Sequence, residues 1–206
     1  MRQTFSSKVG QFMSEGEEPI KSPGLQGLEQ AARQAGALGL PPVHLWNPPD
    51  RGDIDMRIAA DGTWFYQGTP INRPAMVRLF STILRRDGDR YVLVTPVEKV
   101  GIKVDDAPFV AVGVEVAGEG TAQSLSFRTN AGDWTLAGPE HPLRVETDPI
   151  SREPRPYVHV RGGLEALIAR PVFYELVALA EPRTGQLGVW SKGTFFSLGP
   201  LPDGWS

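Results

Sequence analysis

The chain contains two related stretches that align without a gap: Ile71-Asn-Arg-Pro-Ala-Met-Val-Arg-Leu-Phe-Ser-Thr-Ile-Leu-Arg-Arg-Asp-Gly88 and Ile168-Ala-Arg-Pro-Val-Phe-Tyr-Glu-Leu-Val-Ala-Leu-Ala-Glu-Pro-Arg-Thr-Gly185. In both, apolar residues recur with the spacing i, i+3, i+4 and i+7, which is typical of a helix that packs one face on a core. These residues are Met76, Leu79, Phe80 and Ile83 in the first copy, and Phe173, Leu176, Val177 and Ala180 in the second. We interpret the two stretches as an internal repeat; chance similarity over a short window is the alternative.

Proline and glycine mark the ends of each predicted helix. Pro74 and Pro171 fit a first helical turn, where the missing N–H is not needed. Gly88 and Gly185 fit a left-handed cap or turn just past the helix. Strand-like sequence with a tight turn precedes each copy, and another strand follows it. The repeated unit is therefore predicted to be a hairpin, a helix and a strand.

The sequence around the repeat predicts the α+β class, with two tandem β-rich lobes and antiparallel sheets. Residues 1–40 are predicted to be a mobile tail and a short helix, whose apolar face is formed by Leu25, Leu28, Ala32 and Ala35. Residues 41–118 then form an N-terminal lobe with one helix, and residues 119–206 form a C-terminal lobe with one helix. A segment near Pro41 to Pro49 is extended, and Trp46 is expected to fix it to the first sheet.

Composition limits the class of protein. The 206 residues include no cysteine, which excludes disulfides, thiolate metal sites and cysteine nucleophiles. No signal peptide or membrane span is evident, so we expect a cytoplasmic protein with no membrane partner. The net charge of -3 disfavours nucleic acid as a partner. We expect no cofactor, because no motif for one is present.

Six segments together carry a family resemblance that covers the chain after about Leu40. They are Trp46-Asn-Pro-Pro49, Gly52-Asp-Ile-Asp-Met-Arg-Ile58, Asp61-Gly-Thr-Trp64, Leu79-Phe-Ser81, Thr95-Pro-Val-Glu-Lys-Val-Gly101 and Asp106-Ala-Pro-Phe109. This set resembles the proteobacterial domain-of-unknown-function family 1285. The resemblance implies repeated β-rich motifs with a helix in each, and a role in signalling or regulation. It implies no established reaction, and the Phe-Cys pair common in the family is replaced here by Asp50-Arg51.

Carboxylates form the first group of candidate site residues. Asp53 and Asp55 share one face of a predicted strand, Glu98 lies on a connection, and Asp105 and Asp106 lie at a turn. If they converge, Asp53, Asp55 and Asp106 are candidate metal ligands, and with Glu98 they are candidate acid/base groups. Pairing with neighbouring arginines and capping of a turn is the structural alternative.

Basic residues and histidines form the second group. Arg73, Arg78, Arg85, Arg86 and Arg90 cluster around the first predicted helix, and Arg170 repeats Arg73 in the second copy. An arginine beside a helix start can bind a carboxylate or phosphate, although salt bridges are the alternative. The three histidines, His44, His141 and His159, have no metal-ligand spacing. The candidate ligand-binding residues are Arg57, Arg73, Glu98, Lys99, His159, Arg161 and Arg170.

These observations favour a non-catalytic regulatory module that binds a small ligand or a protein partner in a cleft between the two lobes. No nucleophile elbow or phosphate loop is present, so we assign no catalytic residues. The alternative is a metal-dependent or acid/base hydrolase that uses Asp53, Asp55, Glu98 and Asp106, with His159 as a base. That alternative requires at least three of these groups to meet at one point.

Overall fold

The computed structural model describes residues 24–35 and 40–201. The predicted tail at residues 1–23 lies outside this range. The predicted short helix is present as α1, Leu25–Ala35, and it buries Leu28 and Ala32. Two further helices follow, α2 at Pro74–Thr82 and α3 at Arg170–Ala178, each with a proline in its first turn. A salt bridge of 3.4 Å between Glu29 and Arg73 ties α1 to the start of α2.

The first lobe is built on one six-stranded sheet with the spatial order β3-β2-β1-β6-β5-β4. Its strands are β1 Asp50–Ile58, β2 Trp64–Tyr66, β3 Thr69–Pro70, β4 Leu84–Asp87, β5 Arg90–Val94 and β6 Lys99–Val104. Strand β1 alternates as predicted, with Met56 and Ile58 buried and Asp53 and Asp55 exposed. The pairing of β1 with β6 is parallel, whereas every other pairing in this sheet is antiparallel.

The second lobe contains a six-stranded sheet and a smaller three-stranded sheet. The larger sheet has the order β10-β11-β12-β7-β8-β9, and the smaller has the order β13-β14-β15. The strands are β7 Phe109–Ala117, β8 Ser124–Thr129, β9 Trp134–Leu136, β10 Leu143–Thr147, β11 Pro154–Arg161, β12 Leu164–Ile168, β13 Glu181–Arg183, β14 Gln186–Ser191 and β15 Thr194–Pro200. Here the one parallel pairing joins β12 to β7. The predicted α+β class with two tandem β-rich lobes is confirmed.

The repeat has the predicted order, but its helices are shorter than expected. Met76, Phe80 and Ile83 are buried in the first copy, and Phe173 and Leu176 in the second. The segment after each helix is a strand, β4 or β13, and not a further helical turn. The glycine at the end of each copy lies in the tight turn after that strand, with φ of 62° and 76°. In β4 and β13, pairing with the next strand supplies backbone hydrogen bonds. The stability gained from this pairing outweighs the intrinsic preference of these residues for a helix.

The two copies differ in how their last strands pair. In the first copy, β6 returns beside β1, so the hairpin and the strands after the helix share one sheet. In the second copy, β13 to β15 form a separate sheet. We placed the division between the lobes at residue 118, which follows β7. Because Phe109 and Ala111 of β7 pair with Ala166 and Ile168 of β12, the chain changes sheets between β6 and β7.

Two hairpin turns dock the lobes against each other. Asn130, in the turn after β8, donates a hydrogen bond of 3.3 Å from Nδ2 to the carbonyl of Gly62, in the turn after β1. Its Oδ1 accepts a hydrogen bond from the N–H of Val110. Gly62 has φ of 82°, and a Cβ there would lie 2.4 Å from Asn130 Nδ2. Only glycine therefore fits this turn without displacing the asparagine.

Within the described residues, no helix combines the length and the apolar character that crossing a bilayer requires.

Candidate functional site

A pocket of about 560 Å³ lies where the two lobes meet. One wall is the segment 40–47, which we call the arm; it contains a single 3-10 turn at Val43–Leu45. A second wall is the end of α2 together with β4, and the third is the turn between β11 and β12. We call this cavity the arm pocket. The elements that form it are far apart in sequence, so only the tertiary fold assembles it.

Arg85, on β4, holds the arm against the first sheet. Its Nη1 donates to the carbonyl oxygens of Val43 and Trp46, both at 2.6 Å. Its Nε and Nη2 donate to the two carboxylate oxygens of Asp87 at 2.6 and 2.8 Å. The side chain is only 15% exposed. These contacts occupy most of the guanidinium, so Arg85 positions the arm and is not the group most open to a ligand.

Asp87 is held as an anion at the base of the pocket. Hydrogen bonds from Arg85 lower its pKa from 3.8 to about 2, and the hydrogen bond from Lys99 Nζ at 3.0 Å acts in the same direction. Partial burial opposes these effects without overcoming them. The carboxylate is thus ionised at any pH near neutrality, and it is not poised as a general acid or base.

The lowered pKa of Asp87 predicts an acid dependence of stability. The pKa of Asp87 is lower in the folded state than in the unfolded state. Its ionised carboxylate therefore adds to the free energy of unfolding above about pH 4, and this contribution is lost as the pH falls toward 2. The expected loss is on the order of 1–2 kcal/mol, since the side chain is 29% exposed. Urea unfolding at pH 5 and pH 2.5 measures it. The loss should shrink in Asp87→Asn but persist in Glu115→Gln, and equal losses in all three proteins would contradict the assignment.

Arg86 and Arg161 bring less committed guanidinium groups to the pocket. Arg86 Nε donates to the carbonyl of Gly88 at 2.9 Å, and the side chain crosses toward the β11–β12 turn at Gly163. Arg161 donates from Nη1 to Asp133 at 2.8 Å and from Nη2 to the carbonyl of Ser81 at 2.7 Å. Because Ser81 lies at the C-terminal end of α2, this cation also meets the negative end of the helix dipole. Arg161 therefore ties the second lobe to the first beside the pocket.

A second polar cluster involves the predicted metal candidate Asp106. Tyr157 donates its hydroxyl to Asp106 Oδ1 at 2.8 Å, and Arg155 Nη2 donates to Oδ2 at 2.6 Å. Burial raises the pKa of Tyr157 to about 12, and the hydrogen bond to Asp106 adds to the shift. The tyrosine is therefore a neutral donor near pH 7, and both carboxylate oxygens of Asp106 are occupied.

His159, the predicted base, is engaged on both ring nitrogens. Its Nε2 accepts a hydrogen bond from the N–H of Gly163 at 3.2 Å, so the proton resides on Nδ1. That Nδ1 lies 3.3 Å from Nδ1 of His141, which accepts the hydrogen bond. The pair supports the β11–β12 turn, and neither contacting nitrogen is directed at a reacting group.

The other predicted site residues are dispersed over the surface, and within the described residues all of them except Asp55 lie beside a partner of opposite charge. Asp53 accepts from Arg90 at 2.5 Å, whereas Asp55 is exposed on the same strand. The remaining pairs are Glu98 with Arg51, Arg57 with Asp105, Arg73 with Glu29, Lys99 with Asp87 and Arg170 with Glu153. Among residues 24–35 and 40–201, no three histidine or carboxylate side chains are placed to hold a metal ion. The described residues therefore contain no metal-holding group of the kind that the hydrolase alternative would use.

Sequence reasoning anticipated part of the pocket. Arg161 was a candidate, and Arg85 and Arg86 were noted as members of a basic cluster. The roles of Asp87 and of the arm carbonyls were missed. The only available signal was the run Leu84-Arg-Arg-Asp87 directly before a glycine turn, since alternation there indicates a strand with one charged face.

Comparisons with known proteins agree with the resemblance seen in the sequence. The family model described as "Domain of unknown function (DUF1285), N-terminal domain" matches residues 41–107. The model described as "Protein of unknown function (DUF1285), C-terminal domain" matches residues 108–198. The boundary between the two matches coincides with the passage from β6 to β7. A search of curated proteins gave no match.

Two crystal structures of similar proteins were found. A DUF1285 family protein from Silicibacter pomeroyi DSS-3 is 62% identical, with a TM-score of 0.83, over 88% of this chain and 97% of that chain. A DUF1285 family protein from Shewanella baltica OS155 is 30% identical, with a TM-score of 0.48, over 61% of this chain and 91% of that chain. The two family models together span most of the residues, and the chain therefore belongs to the DUF1285 family.

Proposed function

We propose that the protein is a non-catalytic, cytoplasmic regulatory module that binds a small anionic ligand in the arm pocket. The observation that carries this proposal is that one pocket of about 560 Å³ takes its walls from both lobes and from the arm. This volume lies within the range of about 300–1,000 Å³ that is usual for small-molecule sites. A ligand there would contact β4 of the first lobe and the β11–β12 turn of the second at the same time.

The charge of the lining favours an anion. Arg85, Arg86 and Arg161 line the pocket with one carboxylate, that of Asp87, which already has Arg85 and Lys99 as partners. Each guanidinium carries five N–H donors. In the described part of the chain, Arg86 uses one of them in a hydrogen bond and Arg161 uses two. The remaining donors suit carboxylate or phosphate oxygens, which guanidinium groups bind in a bidentate manner.

The rest of the lining suits a flat or apolar body attached to that anion. Trp46 and Leu164 line the pocket, and the arm exposes Leu40 and Leu45 at its rim. A ligand that covers these side chains would remove apolar surface from water. Because it would also bridge the arm and both lobes, it would favour the docked arrangement over any looser one. Such a shift is how a binding module reports its ligand to a partner.

The hydrolase alternative has less support. It needs carboxylates that meet at one point, whereas Asp53 and Asp106 are each held by arginine and lie on different parts of the fold. His159, its proposed base, uses its free lone pair to accept a hydrogen bond from the backbone. No feature of the arm pocket supplies an activated nucleophile.

A thermal-shift experiment tests the proposal with defined probes: inorganic phosphate, citrate, benzoate and adenosine monophosphate. A probe at a hundredfold over its dissociation constant stabilises the folded state by about 2.7 kcal/mol, which raises the melting temperature by several degrees. We expect the shift in the unmodified protein and in Arg170→Gln, whose side chain lies outside the pocket. In Arg86→Gln the shift should be lost.

Two results would contradict the proposal. One is that none of the four probes raises the melting temperature of the unmodified protein. The other is that Arg86→Gln and Arg170→Gln respond equally, which would place the binding outside the arm pocket. Arg86 is exposed and makes one backbone hydrogen bond, so its loss is expected to leave the protein folded.

A further inference from the structure

A second cavity, of about 800 Å³, lies between α3, β10 and β15 and shares no lining residue with the arm pocket. We call it the α3 groove. Its floor is made by side chains of the hydrophobic core that retain 6–9% exposure, so core surface is in contact with water there. These residues are Leu143, Phe173, Leu187, Phe196 and Leu198. The groove therefore brings a small exposed part of each of these core side chains within reach of a molecule that enters it.

The two strands that border the groove are edge strands. Among the strands of residues 40–201, β10 pairs only with β11, and β15 pairs only with β14. The groove lies beside the edge strand of the larger sheet and the edge strand of the smaller one, and Phe173 and Val177 of α3 also line it. Apolar side chains from all three elements therefore line the same space.

The charged groups of the groove are all cationic. Its lining includes Arg144 and Arg152 and contains no aspartate or glutamate. Arg144 is committed, because its guanidinium binds both carboxylate oxygens of Glu165 at 2.7 Å. Arg152 is not: among residues 24–35 and 40–201, its guanidinium has no hydrogen bond and no ion pair. An apolar floor beside an uncommitted cation is the arrangement that binds an amphipathic anion.

The backbone holds Arg152 at the mouth of the groove. The residue has φ of 62°, a left-handed backbone conformation that is rare for residues other than glycine, asparagine and aspartate. A hydrogen bond of 2.9 Å from its N–H to the carbonyl of Asp148 fixes this conformation. Asp148 Oδ1 also accepts from the N–H groups of Ile150 and Ser151, so the loop is internally braced. The backbone of Arg152 is therefore held by a structured turn beside the groove, and its exposed side chain extends from that turn.

We propose that the α3 groove binds a long-chain monocarboxylate, with the hydrocarbon chain on the apolar floor and the carboxylate at Arg152. The volume is within the range of small-molecule sites. The hydrocarbon chain of the ligand covers the exposed core surface, and the carboxylate of the ligand supplies the acceptor that Arg152 lacks. This inference concerns a second site and does not depend on the arm pocket.

Isothermal titration of the full-length protein with octanoate, decanoate and dodecanoate, below their micelle concentrations, tests the site. Affinity should rise with chain length, by up to about fourfold for each added methylene. Arg152→Glu should weaken dodecanoate binding by about tenfold or more, because it removes a charge-assisted hydrogen bond and adds repulsion. Arg128→Glu is the matched control: it reverses an exposed arginine on β8 of the same lobe, outside the groove, and it should leave the affinity unchanged.

A second variant, Val177→Trp, fills the groove from α3 and should abolish binding while the charge is unchanged. Its fold is checked by its melting transition, and Arg152→Glu decides the matter if Val177→Trp fails to fold. The proposal is overturned if dodecanoate does not bind, if Arg152→Glu and Arg128→Glu bind it equally, or if decan-1-ol binds as tightly as decanoate. An extended peptide that binds the groove equally well with and without Arg152 would also overturn it, because strand pairing at the free edges needs no cation.

Discussion

Replacing Arg85 with methionine is expected to lower the free energy of unfolding by about 2–4 kcal/mol. The guanidinium is largely buried and donates hydrogen bonds to the carbonyls of Val43 and Trp46 and to the carboxylate of Asp87. Methionine has a similar length but no donor, so the two carbonyls lose the donor Arg85 and Asp87 keeps only Lys99. Urea unfolding measures the loss, and faster proteolytic cleavage within the arm would report its release from the sheet.

Arg86→Met is the matched control for this change. It removes an arginine from the next position of β4, but that side chain is more exposed. It makes a single hydrogen bond, to Gly88, and a 3.7 Å ion pair with the exposed Asp89. Its cost should stay below about 1 kcal/mol. The double variant Arg85→Met with Asp87→Asn should lose less than the sum of the single losses, because both single changes remove the same Arg85–Asp87 interaction. Similar losses in Arg85→Met and Arg86→Met would refute the anchoring role.

Replacing Phe80 with alanine is expected to cost about 3–5 kcal/mol. Phe80 is fully buried on α2, and its ring lies against that of Trp64 on β2, with ring centres 6.2 Å apart. Truncation removes a large apolar side chain and leaves a cavity between the helix and the first sheet. Unfolding in guanidinium chloride should show a lower midpoint, with little change in the slope of the unfolding free energy against denaturant concentration.

Tyr174→Ala is the control for Phe80→Ala. Tyr174 is an aromatic residue of α3, the equivalent helix of the second copy, but it is 61% exposed. Its loss should change the unfolding free energy by no more than about 0.5 kcal/mol. A cost below about 1 kcal/mol for Phe80→Ala would mean that α2 does not anchor the first sheet.

The sequence predicted the repeat and its packing because both follow from local patterns. The spacing of Met76, Phe80 and Ile83 indicates a buried helix face, and Asp61-Gly62 indicates a tight turn; both are present. The helix end was placed too late. Leu84 to Asp87 has residues that a helix accepts, and only its pairing with β5 makes it a strand. The parallel pairing of β1 with β6 was missed for the same reason, since no local pattern encodes it.

The site was predicted less well than the fold, because ionic partners come from distant positions. The carboxylate of Asp106 meets Tyr157, and that of Asp53 meets Arg90; neither pairing follows from spacing along the chain. The sequence shows that arginine, aspartate and glutamate are the abundant charged types, but spacing along the chain does not state which residue neutralises which. The arm pocket depends on backbone carbonyls of residues 43 and 46, for which side-chain patterns carry no signal.

The parallel pairs have a consequence for the order in which the protein folds. Each hairpin can form as soon as its two strands exist, within microseconds. β7, however, pairs on one side with β12, and the register joins Phe109 to Ala166. At a synthesis rate of about 5–20 residues per second, β7 emerges from the ribosome several seconds before that partner. During this interval one edge of β7, a strand rich in valine, stays unpaired. Pairing of its other edge with β8 and docking against the first lobe then limit aggregation of the nascent second lobe.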